Sequence, residues 1–161
     1  EEVDLNDISN REGLAAKVYF KALFGEFFIR SRDSFDPVNV SLNYGYAIIR
    51  AMMCRSIIAK GLIPTIGIKH RNIYNHFDFI EPFRPIVDAW VYENIYKRKS
   101  CFDRDKRLSL LTALTNKIYF NNKKYAIAQA ISLFTDGVIH YFESFNEDFV
   151  NMPDVEILNE K

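Results

Sequence analysis

The sequence predicts an all-α domain of five or more helices, with room for one tiny hairpin near residues 118–125. Three observations carry that reading. Six Gly and five Pro in 161 residues fall below the roughly 12% usual for globular chains, so turns are few and helices long. Apolar residues recur at helical spacing through most of the chain. The 14 Phe, 9 Tyr and single Trp supply a thick core, a partner surface, or both. The whole length, 1–161, reads as a single domain large enough to bury a core.

The elements follow in order. Residues 1–8 carry four acids and read as a lead-in. Ser9 and Glu12 have capping-box spacing, which starts a helix near residue 10. Ala15, Ala16, Tyr19, Phe20, Leu23 and Phe24 give it an apolar face, and it ends between Gly25 and Arg30. A polar loop runs to Pro37. A second helix spans about 38–60, with Leu42, Tyr46, Ile49, Met53 and Ile57 on one stripe. It is apolar on other faces too (Ala47, Ile48, Ala51, Met52, Ile58) and so reads as central. Gly61 and Pro64 stop it. Residues 61–80 are the most irregular stretch. Glu81-Pro-Phe-Arg-Pro85 opens a third helix, because Pro is tolerated in a first turn. That helix runs through Val87, Trp90, Val91 and Ile95 to basic Lys97-Arg98-Lys99, which suits the helix dipole. Asp103 or Asp105 caps a fourth helix bearing Leu108, Leu111, Leu114 and Ile118. Tyr119-Phe-Asn-Asn-Lys-Lys-Tyr125 reads as a turn or tiny hairpin. A fifth helix covers about 126–145, and the acidic tail from Asn146 reads as loose.

Charge and motifs exclude several classes. Lys and Arg total 21, as do Asp and Glu, so any nucleic-acid footprint must come from clustering. No apolar run approaches the ~18 residues a bilayer crossing needs, so no membrane partner is expected. Cys54 and Cys101 are too few for a disulfide framework and lack metal spacing. With no cleavable signal or twin-Arg motif, a reducing, cytoplasmic location is the default. There is no Gly-rich phosphate loop and no nucleophile-elbow serine. Chemistry must therefore come from carboxylates and histidine.

His70 sits between Lys69 and Arg71 in the irregular segment. Neighbouring cations favour a neutral imidazole, which can ligate a metal; a surface His in a polar loop is the plainer reading. Asp78 and Glu81, three apart, can share a divalent cation or serve as cap and first-turn acid. Glu12 has the same double reading. Asp88 reads as a solvated or paired acid. Basic residues gather at Arg30/Arg32, Lys69/Arg71 and Lys97–Arg107. The last run reads as a solvated helix end before it reads as a DNA site.

Three segments together resemble one family: Asn10-Arg-Glu-Gly-Leu-Ala-Ala-Lys-Val-Tyr-Phe20; Leu42-Asn-Tyr-Gly-Tyr-Ala-Ile-Ile49 with Gly67-Ile-Lys-His70; and Asp78-Phe-Ile-Glu-Pro-Phe-Arg-Pro-Ile-Val-Asp88. In this order they resemble the CRISPR adaptation integrase, the larger, catalytic protein of the spacer-acquisition pair, in its type II branch. The resemblance implies a helical catalytic domain preceded, in the family, by a β-rich domain that this chain, opening at Glu1, lacks. It implies a catalytic Mg²⁺ or Mn²⁺ site of Glu12, His70 and Glu81, supported by Asp78. It implies transesterification, in which a protospacer 3′-hydroxyl attacks a phosphodiester of the CRISPR repeat in double-stranded DNA. The expected partners are that DNA, a second copy of the chain and the small adaptation protein. Lys69, Arg71 and Arg84 are the expected phosphate contacts, with Asn43 and Tyr44 lining the site. Two rival readings remain. One is a metal-dependent nuclease with another role; the other is a non-enzymatic helical interaction module.

Overall fold

Caps and breakers set the helix boundaries. The computed structural model describes residues 11–64 and 78–154. Among them are five α-helices: α1 Arg11–Phe24, α2 Pro37–Ala59, α3 Arg84–Val91, α4 Arg104–Ala113 and α5 Ile127–Ser144. α1 ends where Gly25 turns left-handed at φ 93° and returns its N–H to the Lys21 carbonyl at 2.8 Å. α2 begins at Asp36, whose carboxylate accepts from the Asn39 N–H at 3.0 Å, with Pro37 opening the first turn. It closes at left-handed Gly61: Leu62 N–H donates to Ile57 O at 3.1 Å and Gly61 N–H to Ile58 O at 2.9 Å, the paired closure that glycine permits. Asp103 is the cap of α4, accepting from Lys106 N–H at 2.9 Å. Ser9, the expected cap of α1, lies outside the described residues.

The third helix departs from expectation. Asp78–Phe83 is a 3₁₀ helix, and the α-helix begins only at Arg84. An α-helix through this segment would need the N–H groups of residues 82 and 85 to reach the carbonyls of 78 and 81. Both residues are proline and have no N–H to give. At its other end α3 widens into a π-helix, Tyr92–Tyr96, with Lys97 N–H reaching Tyr92 O at 2.9 Å.

The expected all-α class needs a correction: the fold is mostly helical but carries a three-stranded antiparallel sheet of order β2-β1-β3. The anticipated hairpin is there, β1 Lys117–Phe120 and β2 Lys123–Ala126. Its two-residue turn, Asn121-Asn122, has φ of 51° and 58°, the left-handed pair that a tight hairpin requires and Asn tolerates. Alternation buries Ile118 and Phe120 on one face of β1. The unexpected strand is β3, Pro153–Asp154, paired with Phe120 and Tyr119 on the other edge of β1. The tail is therefore not loose as far as residue 154. It forms a 3₁₀ turn, Glu147–Phe149, capped by Asn146, and packs against α5. A Cβ at Gly137 would overlap the Phe149 carbonyl.

The core forms where α2, α3 and α5 meet. All five residues of the predicted α2 stripe are buried, beside Ile86, Val87 and Trp90 of α3 and Ile131, Phe134 and Val138 of α5. α2 and α3 approach so closely that a Cβ at Gly45 would overlap Val87 Cγ1. α2 is central, as expected, with Ile48 and Met52 also packed against the core, but among the described residues Ala47 and Ala51 are exposed and Ile58 is 57% exposed. α1 lies on the surface. Phe24 is its one fully buried residue, while Ala15 and Ala16 are exposed. Periodicity shows that a helix has an apolar face; it does not show that a neighbour covers it. Among the described residues no helix is long and apolar enough to cross a membrane.

Candidate functional site

Three helices converge on one carboxylate. Asp88 of α3 is 3% exposed. Its Oδ2 accepts from Tyr19 Oη of α1 at 2.8 Å, and its Oδ1 accepts a short hydrogen bond from Tyr46 Oη of α2. Burial pushes the Asp88 carboxyl above its ordinary range, against the pull of the two hydroxyls and of the Arg84 and Arg30 guanidiniums. Burial, then the charge and hydrogen bond of Asp88, pushes both tyrosines well above their ordinary value. Both therefore remain donors at neutral pH. Asp88 is thus a paired acid and not a solvated one. Its place seven residues after Glu81 was visible in the sequence; its burial was not.

The contacts also give the direction of α1. Tyr19 meets Asp88, and further along Phe24 meets Tyr92 at 6.5 Å and Tyr96 at 5.5 Å between ring centroids. Both segments advance together, so α1 runs parallel to α3 and its π-helical extension. Tyr19 and Asp88 are 69 residues apart, the same separation as Glu12 and Glu81. Stepping back seven residues on each side leads from the Tyr19–Asp88 bond to the two glutamates. Glu12 lies in the first turn of α1 and is exposed. Glu81 lies in the 3₁₀ helix that Asp78 opens and forms an ion pair with Arg84 at 3.0 Å. His70, Lys69 and Arg71 lie outside the described residues. Among the described residues, no three His, Cys, Asp or Glu side chains are grouped so as to hold a metal ion.

Arginines cluster along one stripe of α2. Asn39, Asn43, Tyr46 and Arg50 follow one another at helical spacing. Arg30 donates to Asn39 Oδ1 at 2.9 Å and to Asn43 Oδ1 at 2.7 Å, and its guanidinium lies 5.5 Å from the Tyr46 ring centre. Arg84 lies 5.1 Å from the same ring centre. Its Nε is buried without a hydrogen-bond partner. Burial, then the charges of Arg32 and Arg84, lowers the Arg50 pKa, so these like charges sense one another. Asn43 bonds on both sides of its amide, since its Nδ2 also donates to Arg32 O at 3.0 Å. Tyr44 is one residue on, about 100° around the helix, and packs edge-on against Phe102 at 5.4 Å. Sequence reading saw Arg30 and Arg84 as separate and passed over Arg50. Its spacing from Asn43 and Tyr46 was the available signal.

The helical fold has a counterpart among solved structures. The fold matches that of a casposase bound to integration product, with a TM-score of 0.69 and 23% identity over 98% of this chain and 52% of that one. The family is shown by sequence. Residues 1–123 match the model of the CRISPR associated protein Cas1, and the chain belongs to that family. It is 46% identical over 94 residues to the CRISPR-associated endonuclease Cas1 of Neisseria meningitidis, covering 56% of this chain and 30% of that protein. It is 33% identical over 117 residues to a second such endonuclease from Pyrobaculum aerophilum, covering 67% of this chain and 40% of the relative. The matched region thus spans less than half the length of these relatives.

Proposed function

We propose that this chain carries the catalytic site of a metal-dependent DNA integrase, which joins a protospacer 3′-hydroxyl to the CRISPR repeat by transesterification. Its membership of a family whose relatives are named endonucleases supports the reading. The observation that supports the site is the Tyr19–Asp88 bond, with Glu12 and Glu81 each seven residues before one of its partners in the sequence. On this reading the two exposed carboxylates meet at one end of the α1–α3 pair together with His70. Two carboxylates and one imidazole are a donor set that suits Mg²⁺ or Mn²⁺. Glu12, His70 and Glu81 would hold the ion, with Asp78 in support. A bound divalent cation supplies a Lewis acid that favours the ionised hydroxyl and offsets charge on the phosphoryl group.

The residues of this chain do the rest. Arg84 holds the Glu81 carboxylate while presenting positive charge at the same end. Lys69 and Arg71 flank His70 in the sequence and add cations for phosphate. Arg30 and Arg50 extend the field along α2, where double-stranded DNA would lie. Asn43 acts through Arg30, which it orients; Tyr44 has the lesser claim. Exposed Leu14, Val18, Phe27 and Phe35 offer apolar surface for a second copy and for the small adaptation partner. Glu12→Ala, His70→Ala and Glu81→Ala should each abolish both Mn²⁺ binding and strand transfer while circular dichroism stays helical. Wild-type transfer by any one of them removes that residue from the site. Products separate the nuclease alternative, because hydrolysis shortens DNA whereas transfer joins two molecules.

A further inference from the structure

We propose that Asp88, gripped by Tyr19 and Tyr46, is a positioning residue that sets the placement of Glu12 against Glu81. The inference rests on reading those two glutamates as ligands of one divalent cation.

Among the described residues, the apolar packing of α1 lies toward its C-terminal end, at Phe20, Leu23 and Phe24. Its buried anchor, Phe24, lies in its last turn, whereas Glu12 lies in its first. Leu14 and Val18 between them are each 62% exposed. Apolar packing is non-directional and, at one end of a helix, does not by itself fix rotation and tilt at the other end. A hydrogen bond is directional. The Tyr19–Asp88 bond, 2.8 Å long, lies two turns, about 10.5 Å, along α1 from Glu12. It fixes which face of α1 turns toward α3. Tyr46 holds the second carboxylate oxygen from α2, so Asp88 cannot swing to follow α1.

A second route leads from the same cluster to Glu81. Arg84 packs on the Tyr46 ring at 5.1 Å and pairs with Glu81 at 3.0 Å. The chain Asp88–Tyr46–Arg84–Glu81 therefore orients one glutamate, while Asp88–Tyr19 orients the helix of the other. A buried carboxylate is a costly way to gain stability alone, since apolar residues of similar size serve as well or better. It is an effective way to fix geometry, because each oxygen accepts from a hydroxyl on a different helix.

The experiment measures Mn²⁺ affinity by calorimetry on the full chain, well below its melting temperature, with and without branched DNA. Wild type is compared with Tyr19→Phe, Asp88→Asn, the double variant, Glu12→Ala and Leu110→Ala. Leu110 is fully buried in α4 and serves as a stability control outside the cluster. Tyr19→Phe and Asp88→Asn should each weaken Mn²⁺ binding about 10–100-fold, as supporting partners of metal ligands do. The double variant should lose no more than the worse single, because both remove one interaction. Leu110→Ala should lower the melting temperature and leave Mn²⁺ affinity unchanged. Wild-type affinity in Tyr19→Phe, with binding lost in Glu12→Ala, overturns the positioning role and leaves the metal site standing. An equal loss in Leu110→Ala makes the effect one of general stability and overturns it too. Absence of Mn²⁺ binding in wild type under both conditions overturns the metal reading, and this inference with it. Should Asp88→Asn fail to fold, Tyr19→Phe, at a partly exposed position, carries the test.

Discussion

Asp36 and Asp88 are both hydrogen-bonded aspartates, and their surroundings move them in opposite directions. At Asp36 burial is opposed and outweighed by hydrogen bonds from Ser34 and Asn39, which lower its pKa from 3.8. A depressed folded pKa adds stability that is present above the unfolded value and lost as pH falls through the folded one. Asp36→Ala should cost about 1 kcal/mol at neutral pH, the usual worth of a helix cap. Asp36→Asn should keep most of that cap and flatten the loss of stability below pH 3.8. Urea titrations across the acid range measure both, and an unchanged acid slope in Asp36→Asn would remove Asp36 as its source. The cap could be read from Asp36-Pro37 beside an apolar run, because capping is local. The role of Asp88 could not, because its two partners come from helices 69 and 42 residues away. Glu12 and Glu81 were legible as candidates, whereas the register that relates them needed the fold.

At the scale of elements, α2 and α3 approach closely at Gly45. Gly45→Ala would drive a methyl into Val87 and should destabilise the protein by about 1–3 kcal/mol through overpacking. Val87→Ala in the same chain should recover part of that loss, whereas on its own it leaves a cavity. Thermal melts of the two singles and the double decide this; additive losses would place the strain elsewhere. Sequence reading found α2, α5 and the hairpin, and the Asp103 start of α4, because their signals are self-contained: apolar period, Asn-Asn turn, Asp cap. It carried the stripe of α4 to Ile118, which stands in β1. It missed the delayed start of α3, where the two prolines were in plain view but their carbonyl partners went uncounted. It missed β3 because two residues carry no periodicity, and their pairing with β1 is a tertiary fact. It overstated α1, whose apolar stripe is real but largely uncovered among the described residues.

For the whole molecule, net charge is a poor guide to DNA binding. Lys and Arg total 21 against 21 Asp and Glu, yet Arg30, Arg32, Arg50 and Arg84 come from three segments to one region. Each phosphate contact on duplex DNA contributes about 0.9 to the slope of log affinity against log salt. Arg50→Ala should lower that slope by about 0.9, measured by fluorescence anisotropy between 50 and 200 mM salt. Lys97→Ala should leave it nearly unchanged, because Lys97 is paired with Glu93 at 3.3 Å in the run read as a solvated helix end. Equal slopes in wild type and Arg50→Ala would move the DNA off the α2 stripe.

The parallel course of α1 and α3 has a kinetic consequence. Parallel neighbours cannot be joined by a tight turn, and here all of α2 intervenes. Closing so long a loop costs more entropy than forming the 117–126 hairpin or α5, and long-range contacts are made slowly. The Tyr19–Asp88 bond therefore belongs to the late events of folding. During synthesis α1 leaves the ribosome before α3 and must wait for it before its tyrosine finds an acceptor. A chain that is already compact would, on the reading proposed above, set Glu12 against Glu81 only once that bond closes.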